Sequence, residues 1–433
     1  MSKNLEKARE EARELDRRDA LAGYHEQFWI PKKPDGSEQL YFCGNSLGLQ
    51  PRATKAAVLD ELTAWQELGV EGHFKGQRPW LDYNELLRGP MSELIGAKPQ
   101  EVVIMNTLTV NLHLMMISFY QPRGKRCKIL IEHQSFPSDR YAVESQIRMH
   151  GLDPEECLVE IAPSGNSRII DETVIEEYLA EYGEHIALVL WPGVQYASGQ
   201  FFDLERIAKS AHKAGALCGF DLAHAVGNVP LNLGITGVDF AVWCTYKYMN
   251  SGMGAVAGCF VNERHGESAH GEAANLKRLH GWWGTDPESR FLMEPGFIPA
   301  QGAEAWVMSN PPILAMAPIR VSLEMFQQAG MTALRNKSIA MTAYLEQLVH
   351  SELSDSIEII TPADPKRRGC QLSLRVLGGR GAGRTLFEHL ENTGTIPDWR
   401  EPDVIRVAPV PMYNRFEDCW LFVKQVKSFL AQT

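Results

Sequence analysis

From about position 101 onward, short apolar runs alternate with segments whose apolar residues recur at helical spacing. Most of these runs are continuously apolar, as strands buried on both faces of a parallel sheet are. We predict seven strands, over 101–105, 128–133, 157–162, 186–191, 216–221, 239–244 and 258–262. Between them we predict helices over 112–120, 137–150, 171–182 and 203–214. The alternation indicates an α/β fold whose mostly parallel sheet lies between layers of helices.

The pattern changes beyond position 262. The stretch 282–318 is rich in glycine and proline, and its Ser309-Asn310-Pro311-Pro312 string predicts extended backbone, because a proline disfavours helix in the residue before it. Two helices are predicted next, over 318–328 and 331–351, followed by a strand, helix and strand pattern. The glycine cluster at 378–383 matches no phosphate-binding motif, and we interpret it as a turn. We predict a large domain over 63–320 and a smaller α+β domain formed by 1–62 and 321–433.

Composition narrows the class of protein. With 433 residues, of which 44% are hydrophobic, the chain is globular, and its longest apolar stretch is shorter than the ~20 residues of a membrane helix. The 43 basic and 54 acidic residues give a net charge of -11, which disfavours nucleic acid and anionic membranes as partners. Residues 1–20 predict a charged helix rather than a signal peptide. The eight cysteines are scattered without zinc-binding spacing, which favours free thiols, no bound metal and a cytoplasmic location.

Polar residues follow three of the predicted strands, at the edge where parallel sheets bind ligands. Asp221 ends a strand, and its carboxylate could pair with a pyridinium nitrogen, cap a helix or form a salt bridge. His224 either lies beside a cofactor ring or is a hydrogen-bonded core histidine, and a metal site with Asp221 lacks further ligands of suitable spacing. Lys247 lies between a predicted strand and a glycine-rich run, and this context predicts a semi-buried amine that can condense with an aldehyde. Thr107 and Thr109 either cap a helix or bind a phosphate with its free amides.

Asp221, His224 and Lys247, in this order on a parallel α/β framework, resemble the fold-type I enzymes that depend on pyridoxal 5'-phosphate (PLP), in the aspartate aminotransferase-like superfamily. Among these the sequence is similar to the kynureninase family. Nine strings along most of the chain carry this resemblance: GNSLGL from Gly44, GH with RPW between Gly72 and Trp80, LTVNLH from Leu108, FPSD from Phe136, FDLAHA from Phe220, YKY from Tyr246, GWWG from Gly281, SNPP from Ser309 and RVAPVP from Arg406.

The resemblance implies a set of cofactor contacts. They are Leu108, Thr109, Phe136, Pro137, Ser138, Asp139, Asp221, His224, Tyr246, Lys247, Trp282 and Asn310. In this set Lys247 binds the cofactor aldehyde and moves substrate protons, Asp221 pairs with the ring nitrogen, and Phe136 stacks on the ring. Tyr246 either contacts the phosphate or transfers a proton at the substrate carbonyl. Trp282 and Asn310 would come from the second subunit of a homodimer.

The resemblance also implies substrate contacts, at Ser46, His73, Asn310 and Arg406. Arg406 would clamp the substrate α-carboxylate through its guanidinium fork, and the alternative is a surface arginine beside a proline-rich loop. One position departs from the family pattern, because Pro192 stands where a small hydroxyl residue is usual, and proline cannot donate a hydrogen bond.

The implied reaction is hydrolysis of the Cβ–Cγ bond of L-kynurenine or 3-hydroxy-L-kynurenine, which gives L-alanine and anthranilate or 3-hydroxyanthranilate, in tryptophan catabolism and de novo NAD biosynthesis. His73 and Asn310 favour the 3-hydroxylated substrate. One alternative is a cysteine desulfurase with Cys370 as its reactive thiol, although the apolar alternation after Cys370 favours a structural role. Another is a cofactor-binding scaffold without activity, which Lys247 and Asp221 argue against.

Overall fold

The computed structural model describes residues 3–165, 167–266, 276–293 and 296–432. The helices are α1 Lys3–Arg18, α2 Thr54–Leu68, α3 Tyr83–Ile95, α4 Leu108–Phe119, α5 Pro137–Met149, α6 Pro154–Cys157, α7 Glu172–Tyr182, α8 Leu204–Lys213, α9 Leu233–Thr236, α10 Ile313–Ala329, α11 Met331–Leu353, α12 Gly379–Asn392 and α13 Phe416–Leu430. The strands are β1 Phe28–Trp29, β2 Leu40–Tyr41, β3 Gln50–Pro51, β4 Val102–Ile104, β5 Lys128–Glu132, β6 Leu158–Ile161, β7 Ile186–Pro192, β8 Leu217–Asp221, β9 Phe240–Trp243, β10 Gly258–Val261, β11 Ile357–Ile359, β12 Leu372–Val376, β13 Thr395–Ile396, β14 Asp398–Arg400 and β15 Val404–Val407.

A seven-stranded sheet of order β4-β10-β9-β8-β7-β5-β6 forms the centre of the larger part of the molecule. Its pairs are parallel except for those of β10, which is antiparallel to both β4 and β9. The seven strands predicted from the sequence are confirmed, each to within one residue at either end. Their continuous apolar character follows from burial on both faces of the sheet.

Helices cover both faces of this sheet. On one face α4 and α5 bury Leu112, Phe119 and Ile147 against the strands. On the other face α3, α7, α8 and α10 contribute to a second apolar core. The four helices predicted between the strands are confirmed, and side-chain caps begin two of them: Asp171 accepts from the amide of Thr173, and Asp203 accepts from that of Arg206. Among the described helices, none is long and apolar enough to cross a membrane.

Two predictions beyond position 312 are wrong. The helix predicted to begin at 318 begins at Ile313, because Pro318 lies close to the start of α10 and removes only one helical hydrogen bond there. The glycine cluster at 378–383 is not only a turn, since α12 begins at Gly379. Burial of Leu386 and Leu390 on one face of α12 outweighs the poor helix propensity of its glycines.

A four-stranded antiparallel sheet of order β11-β12-β15-β14 forms a third apolar core with α1, α11, α12 and α13. The predicted charged N-terminal helix is confirmed as α1, and the first two residues of that prediction, Met1 and Ser2, lie outside the described residues. Asp16 of α1 accepts the backbone amides of Phe416 and Glu417 at 2.7 Å and 3.0 Å. Trp420 donates its indole N–H to the carbonyl of Leu5 at 2.7 Å. The first helix of the chain is therefore fixed to the last one.

The predicted domain boundaries fall inside helices. Positions 62 and 63 both belong to α2, and positions 320 and 321 both belong to α10. These two helices pack against each other. The division into 63–320 and a smaller unit of 1–62 with 321–433 therefore stays a prediction, which the two separate sheets support.

Candidate active site

One cleft opens at the carboxyl ends of the parallel strands, with an empty volume of about 710 Å³. Its lining residues are Leu108, Thr109, Ile131, Glu132, Ser135, Phe136, Ser138, Asp139, Leu190, Trp191, Pro192, Val194, Tyr196, Asp221, Ala223, His224, Tyr246 and Lys247. This is the edge at which ligands bind to open α/β sheets. Every lining residue belongs to the large sheet or to a segment that directly follows one of its strands.

Lys247 lies four residues after β9 and extends its amine into this cleft. Its Nζ is 3.0 Å from Nε2 of His224 and 5.8 Å from the ring centroid of Phe136. Burial lowers the pKa of His224 well below its usual value, and the positive charge of Lys247 lowers it further. The histidine ring is therefore neutral at physiological pH, and its Nε2 can accept a hydrogen bond from the lysine ammonium.

The loop that begins at Gly44 holds the backbone of Lys247 in place. The amide of Gly48 donates to the carbonyl of Tyr246 at 2.8 Å. A Cβ atom at Gly48 would lie 2.3 Å from the carbonyl oxygen of Lys247 and 2.3 Å from Oδ1 of Asn250, far inside contact distance. Only glycine allows this approach, which explains one glycine of the GNSLGL string.

Three carboxyl groups lie at one end of the cleft. Asp221 ends β8 and accepts the amide of Ala223 at 2.6 Å. Burial raises the pKa of Asp139 well above its usual range, and the adjacent Asp221 raises it further. Burial likewise raises the pKa of Glu132, whose Oε2 has no hydrogen-bond partner among the described residues. The protonated forms of Asp139 and Glu132 are therefore favoured, and Asp221 is the carboxyl group that ends its strand where it can accept from a cationic ring nitrogen.

Two helix N-termini converge on the cleft. Asn106, with φ of +52°, turns the chain from β4 into α4, a left-handed conformation that asparagine tolerates. Thr107 provides no side-chain cap for α4, so the first amides of that helix stay available to a ligand. At the start of α5, Ser138 Oγ lies 3.1 Å from Thr109 Oγ1. These amides and hydroxyls form an anion site of the kind that binds phosphate.

Tyr246 borders the same cleft. Burial raises the pKa of its phenol, and the neighbouring Cys244 and Asp221 raise it further. The phenol therefore stays protonated at neutral pH and can donate a hydrogen bond or a proton. Both alternatives that the resemblance left open for Tyr246, a phosphate contact and a proton transfer, are compatible with this state.

Arg406 is fully buried on β15, so the alternative of a surface arginine is excluded. It donates from Nη1 to the carbonyl of Tyr196 at 2.8 Å and from Nε to Asp398 Oδ1 at 2.9 Å. Cys43 Sγ lies 3.9 Å from Asp398 Oδ2, and the amide of Ser46 donates to the carbonyl of Cys43 at 2.9 Å. The predicted substrate contacts Ser46 and Arg406 are thus linked on the side of the cleft next to Tyr196.

Several predicted site residues do not line the cleft of the described chain, and these include Ser46 and Arg406. His73 is partly buried and packs edge-on against Trp80, with ring centroids 5.4 Å apart. Trp282 is 45% exposed and donates to the carbonyl of Arg290, and Asn310 is exposed. Pro137 begins α5 between two lining residues without lining the cleft itself. Pro192 does line it, so the departure from the family pattern lies at the site.

The sequence analysis missed several residues of the site. Glu132 is a charged residue at the end of an apolar strand, the same signal that identified Asp221, and it could have been found. Tyr196 lies in the loop after β7, and its ring centroid is 5.4 Å from that of Phe136. No sequence pattern around Tyr196 or Asp398 indicates a functional residue, because each comes near the site only through tertiary packing.

Comparison with known proteins assigns the family. The aminotransferase class-V model matches residues 45–268, and the kynureninase C-terminal domain model matches residues 334–426. A kynureninase of Xanthomonas euvesicatoria pv. vesicatoria is 56% identical over 417 residues, which cover 96% of this chain and 97% of that protein. A kynureninase of Stenotrophomonas maltophilia is 56% identical over 415 residues, covering 96% of both chains. The chain belongs to the kynureninase family.

Membership in the kynureninase family makes the protein a PLP-dependent enzyme that cleaves kynurenine. The cleft fits that cofactor, because it combines an accessible lysine amine, a buried carboxyl group and an anion site at two helix N-termini. His224 Nδ1 and Asp139 Oδ1 are buried polar atoms without a described partner, as expected of a site built for a further polar group. Within the described residues, no cluster of three or more His, Cys, Asp or Glu side chains could hold a metal ion.

Solved structures agree on the fold. The apo structure of a cysteine desulfurase from Thermococcus onnurineus has a TM-score of 0.73 at 16% identity, covering 94% of this chain and 99% of that one. The cystine C-S lyase C-DES, solved with cysteine persulfide, has a TM-score of 0.73 at 16% identity, covering 91% of this chain and 98% of that one.

The desulfurase alternative requires a reactive thiol, which Cys370 does not provide, because Cys370 is completely buried and burial raises its pKa to about 12.

Proposed function

We propose that this enzyme hydrolyses 3-hydroxy-L-kynurenine in preference to L-kynurenine, with Lys247 as its covalent and proton-transferring residue. The observation that carries the proposal is the position of the Lys247 amine, 3.0 Å from a neutral His224 and within the same cleft as Asp221. A lysine amine held among aromatic rings and a neutral histidine is suited to attack an aldehyde and then to exchange protons.

Each residue of the cleft has a distinct task in the proposed reaction. Bound PLP supplies an electron sink that stabilises negative charge developing on the substrate. Lys247 removes a proton at the substrate Cα and returns it. Asp221 accepts a hydrogen bond from the ring nitrogen, while the ring of Phe136 and the neutral ring of His224 border the space beside it.

The anion site and the substrate clamp fix the two ends of this arrangement. Leu108, Thr109 and Ser138 bind phosphate through the first turns of α4 and α5. Arg406 binds the substrate α-carboxylate, with Ser46 nearby. Tyr246 and Lys247 line the same cleft. The protonated phenol of Tyr246 can donate its proton to the substrate carbonyl when water adds to that carbonyl.

Preference for the 3-hydroxylated substrate rests on His73 and Asn310. A site that pairs with a substrate hydroxyl discriminates against the analogue without it, because its own polar groups are then left unpaired.

The 3-hydroxyanthranilate released in this way supplies de novo NAD biosynthesis. The eight unpaired cysteines are in keeping with a reducing cytoplasm.

The enzyme acts as a homodimer in which Trp282 and Asn310 complete the cleft of the other subunit. Both side chains are exposed or partly exposed in the single chain, where they contribute nothing to the cleft lining described above. A run of exposed large apolar residues surrounds Trp282: Leu279, Phe291, Leu292, Met293 and Ile298. Such a concentration of exposed apolar side chains is typical of a subunit interface.

The test compares kcat/KM for the two substrates with the wild-type enzyme and with His73→Phe. We expect a higher kcat/KM for 3-hydroxykynurenine in the wild type, and a loss of that preference by about tenfold in the variant.

Lys247→Ala should abolish both turnover and the lysine-dependent absorbance of the bound cofactor. Equal kcat/KM values for the two substrates would contradict the preference, and persistent turnover in Lys247→Ala would contradict the role of the lysine.

A further inference from the structure

Arg406 belongs to a cluster with a second arginine. Asp398 of β14 lies directly opposite Arg406 of β15 in the antiparallel register. Arg400 is two residues further along β14, so its side chain extends from the same face of the strand as Asp398. Arg400 Nε is 2.9 Å from Asp398 Oδ1, and its Nη2 donates to Oδ2 at 3.1 Å. One carboxylate therefore contacts two guanidinium groups.

The charges of this cluster do not balance. Arg400 and Arg406 carry two positive charges, and Asp398 supplies one negative charge. The other groups against it are neutral: burial and the charge of Asp398 together raise the pKa of the Cys43 thiol to about 12, and burial raises that of the Tyr196 phenol. Within the described part of the chain, no second carboxylate is paired with either guanidinium. The cluster thus retains about one positive charge, which an anionic ligand would neutralise.

Hydrogen-bond donors are also left over. Arg406 Nη2 lies 2.7 Å from Asp398 Oδ1 but is not aligned to donate a hydrogen bond to it, although the residue is completely buried. Arg400 Nε is a second buried donor without a hydrogen bond. Unpaired buried donors are costly, and a carboxylate with two oxygens could satisfy both.

The cluster is close enough to the cleft to act on it. Arg406 donates to the backbone of Tyr196, a lining residue. Both guanidinium groups contribute to the lowered pKa of His224, after burial and Lys247. The side chain of Arg400 is 32% exposed, so the guanidinium group as a whole is not enclosed by the protein.

We propose that Arg400 is a second binding residue for the substrate α-carboxylate, beside Arg406, and that Asp398 keeps the two guanidinium groups together. This inference rests on the proposed role of Arg406 as the carboxylate clamp. The α-carboxylate adds the missing negative charge beside the two guanidinium groups. Substrates or inhibitors without that carboxylate gain nothing from Arg400.

The test is the variant Arg400→Gln, assayed with L-kynurenine as substrate and with kynuramine, which lacks the carboxylate, as a competitive inhibitor. Loss of a charged hydrogen bond should raise KM for L-kynurenine about tenfold or more, with kcat changed by less than about threefold. The inhibition constant of kynuramine should stay within about twofold. Arg375→Gln is the matched control, because Arg375 belongs to the same sheet but pairs with Glu358 at the surface.

Three outcomes separate the possibilities. If KM for L-kynurenine and the inhibition constant of kynuramine rise together, Arg400 has only a structural role and the proposal is overturned. If Arg406→Gln raises KM and Arg400→Gln does not, the proposal fails while the clamp stands. If neither variant raises KM, the carboxylate role of Arg406 in the proposed function fails as well. Should Arg400→Gln not fold, Arg400→Lys is expected to raise KM by a smaller factor with kynuramine unaffected, and an unchanged KM would overturn the proposal.

Discussion

At the scale of single residues, Asp139 and Asp221 show how neighbouring carboxyl groups acquire different properties. Both line the same cleft, Asp221 as a buried residue and Asp139 as a partly buried one. Burial and the adjacent Asp221 raise the pKa of Asp139 well above its usual range, which favours its protonated form. Two adjacent carboxyl groups cannot both ionise without a large electrostatic cost. The protonated form of Asp139 is therefore favoured, and Asp221 ends β8 where it can pair with the cofactor ring nitrogen.

This difference predicts unequal effects of the same substitution. Asp221→Asn removes the anion opposite the cofactor ring nitrogen and should lower kcat on the order of 10²–10³-fold. Asp139→Asn replaces a protonated acid by a neutral amide of the same shape and should lower kcat by less than about tenfold. Steady-state kinetics with saturating cofactor measure both. If Asp139→Asn were the more damaging change, the assignment of the two carboxyl groups would be reversed.

What the sequence reveals about single residues depends on how they reach the cleft. Asp221 and Lys247 follow buried strands, and a sheet brings the ends of its strands to one edge, so their proximity could be predicted. Arg400 and Asp398 are brought next to Arg406 by the pairing of β14 with β15. That register is set by tertiary packing, and no spacing along the chain reveals it.

At the scale of elements, Asp239 forms hydrogen bonds and ion pairs with several segments of the chain. It lies at the amino ends of the parallel strands, on the side of the large sheet opposite the cleft. It precedes β9 and accepts from the amide of Cys218 in β8 at 2.7 Å. His212 of α8 lies 2.8 Å from its Oδ2, His265 lies 2.7 Å from its Oδ1, and Arg264 also contacts it. Burial opposes ionisation of Asp239, but the hydrogen bonds of the two histidines and the charge of Arg264 outweigh it and lower its pKa.

The cluster around Asp239 predicts how stability depends on pH. A carboxyl group with a lowered pKa in the folded state stabilises the fold above its ordinary value of 3.8, and this contribution is lost as pH falls toward the lowered value. Asp239→Asn should reduce the free energy of unfolding by roughly 3 kcal/mol at pH 7 and by progressively less below pH ~4. Urea unfolding across this range measures it, with the exposed Asp355→Asn as control. A difference independent of pH would contradict the ionic origin of the effect.

Strands and helices could be predicted from the sequence where the burial of apolar side chains agrees with the local conformational preference of the residues. The seven strands could be located because continuous apolar runs are buried on both faces of the sheet. The starts of α10 and α12 could not, since Pro318 and the glycines near Gly379 argue against helix locally. In both places the apolar face of the helix packs onto a core, and that stabilisation comes from residues distant in sequence.

At the scale of the whole molecule, the proposed dimer makes a prediction about mixed subunits. Co-expression of Lys247→Ala with the double variant Trp282→Ala, Asn310→Ala gives mixed dimers that contain one intact cleft. With random pairing, activity should return to about a quarter of the wild-type value. Lys247→Ala co-expressed with Tyr246→Phe is the control, because both substitutions affect the same cleft and no intact one can form. No recovery in the first mixture would contradict the sharing of sites.

The contact between α1 and α13 has a consequence for biosynthesis. Asp16 and Phe416 are 400 positions apart, yet the first caps the helix that begins with the second. At ribosomal rates of about 5–20 residues per second, the leading helix emerges roughly 20 to 80 seconds before its partner exists. During that interval its apolar side, including Leu5 and Ala12, lacks the α13 residues that share its core in the folded protein. Nascent chains of this enzyme should therefore present an early binding site for chaperones until α13 has been synthesised.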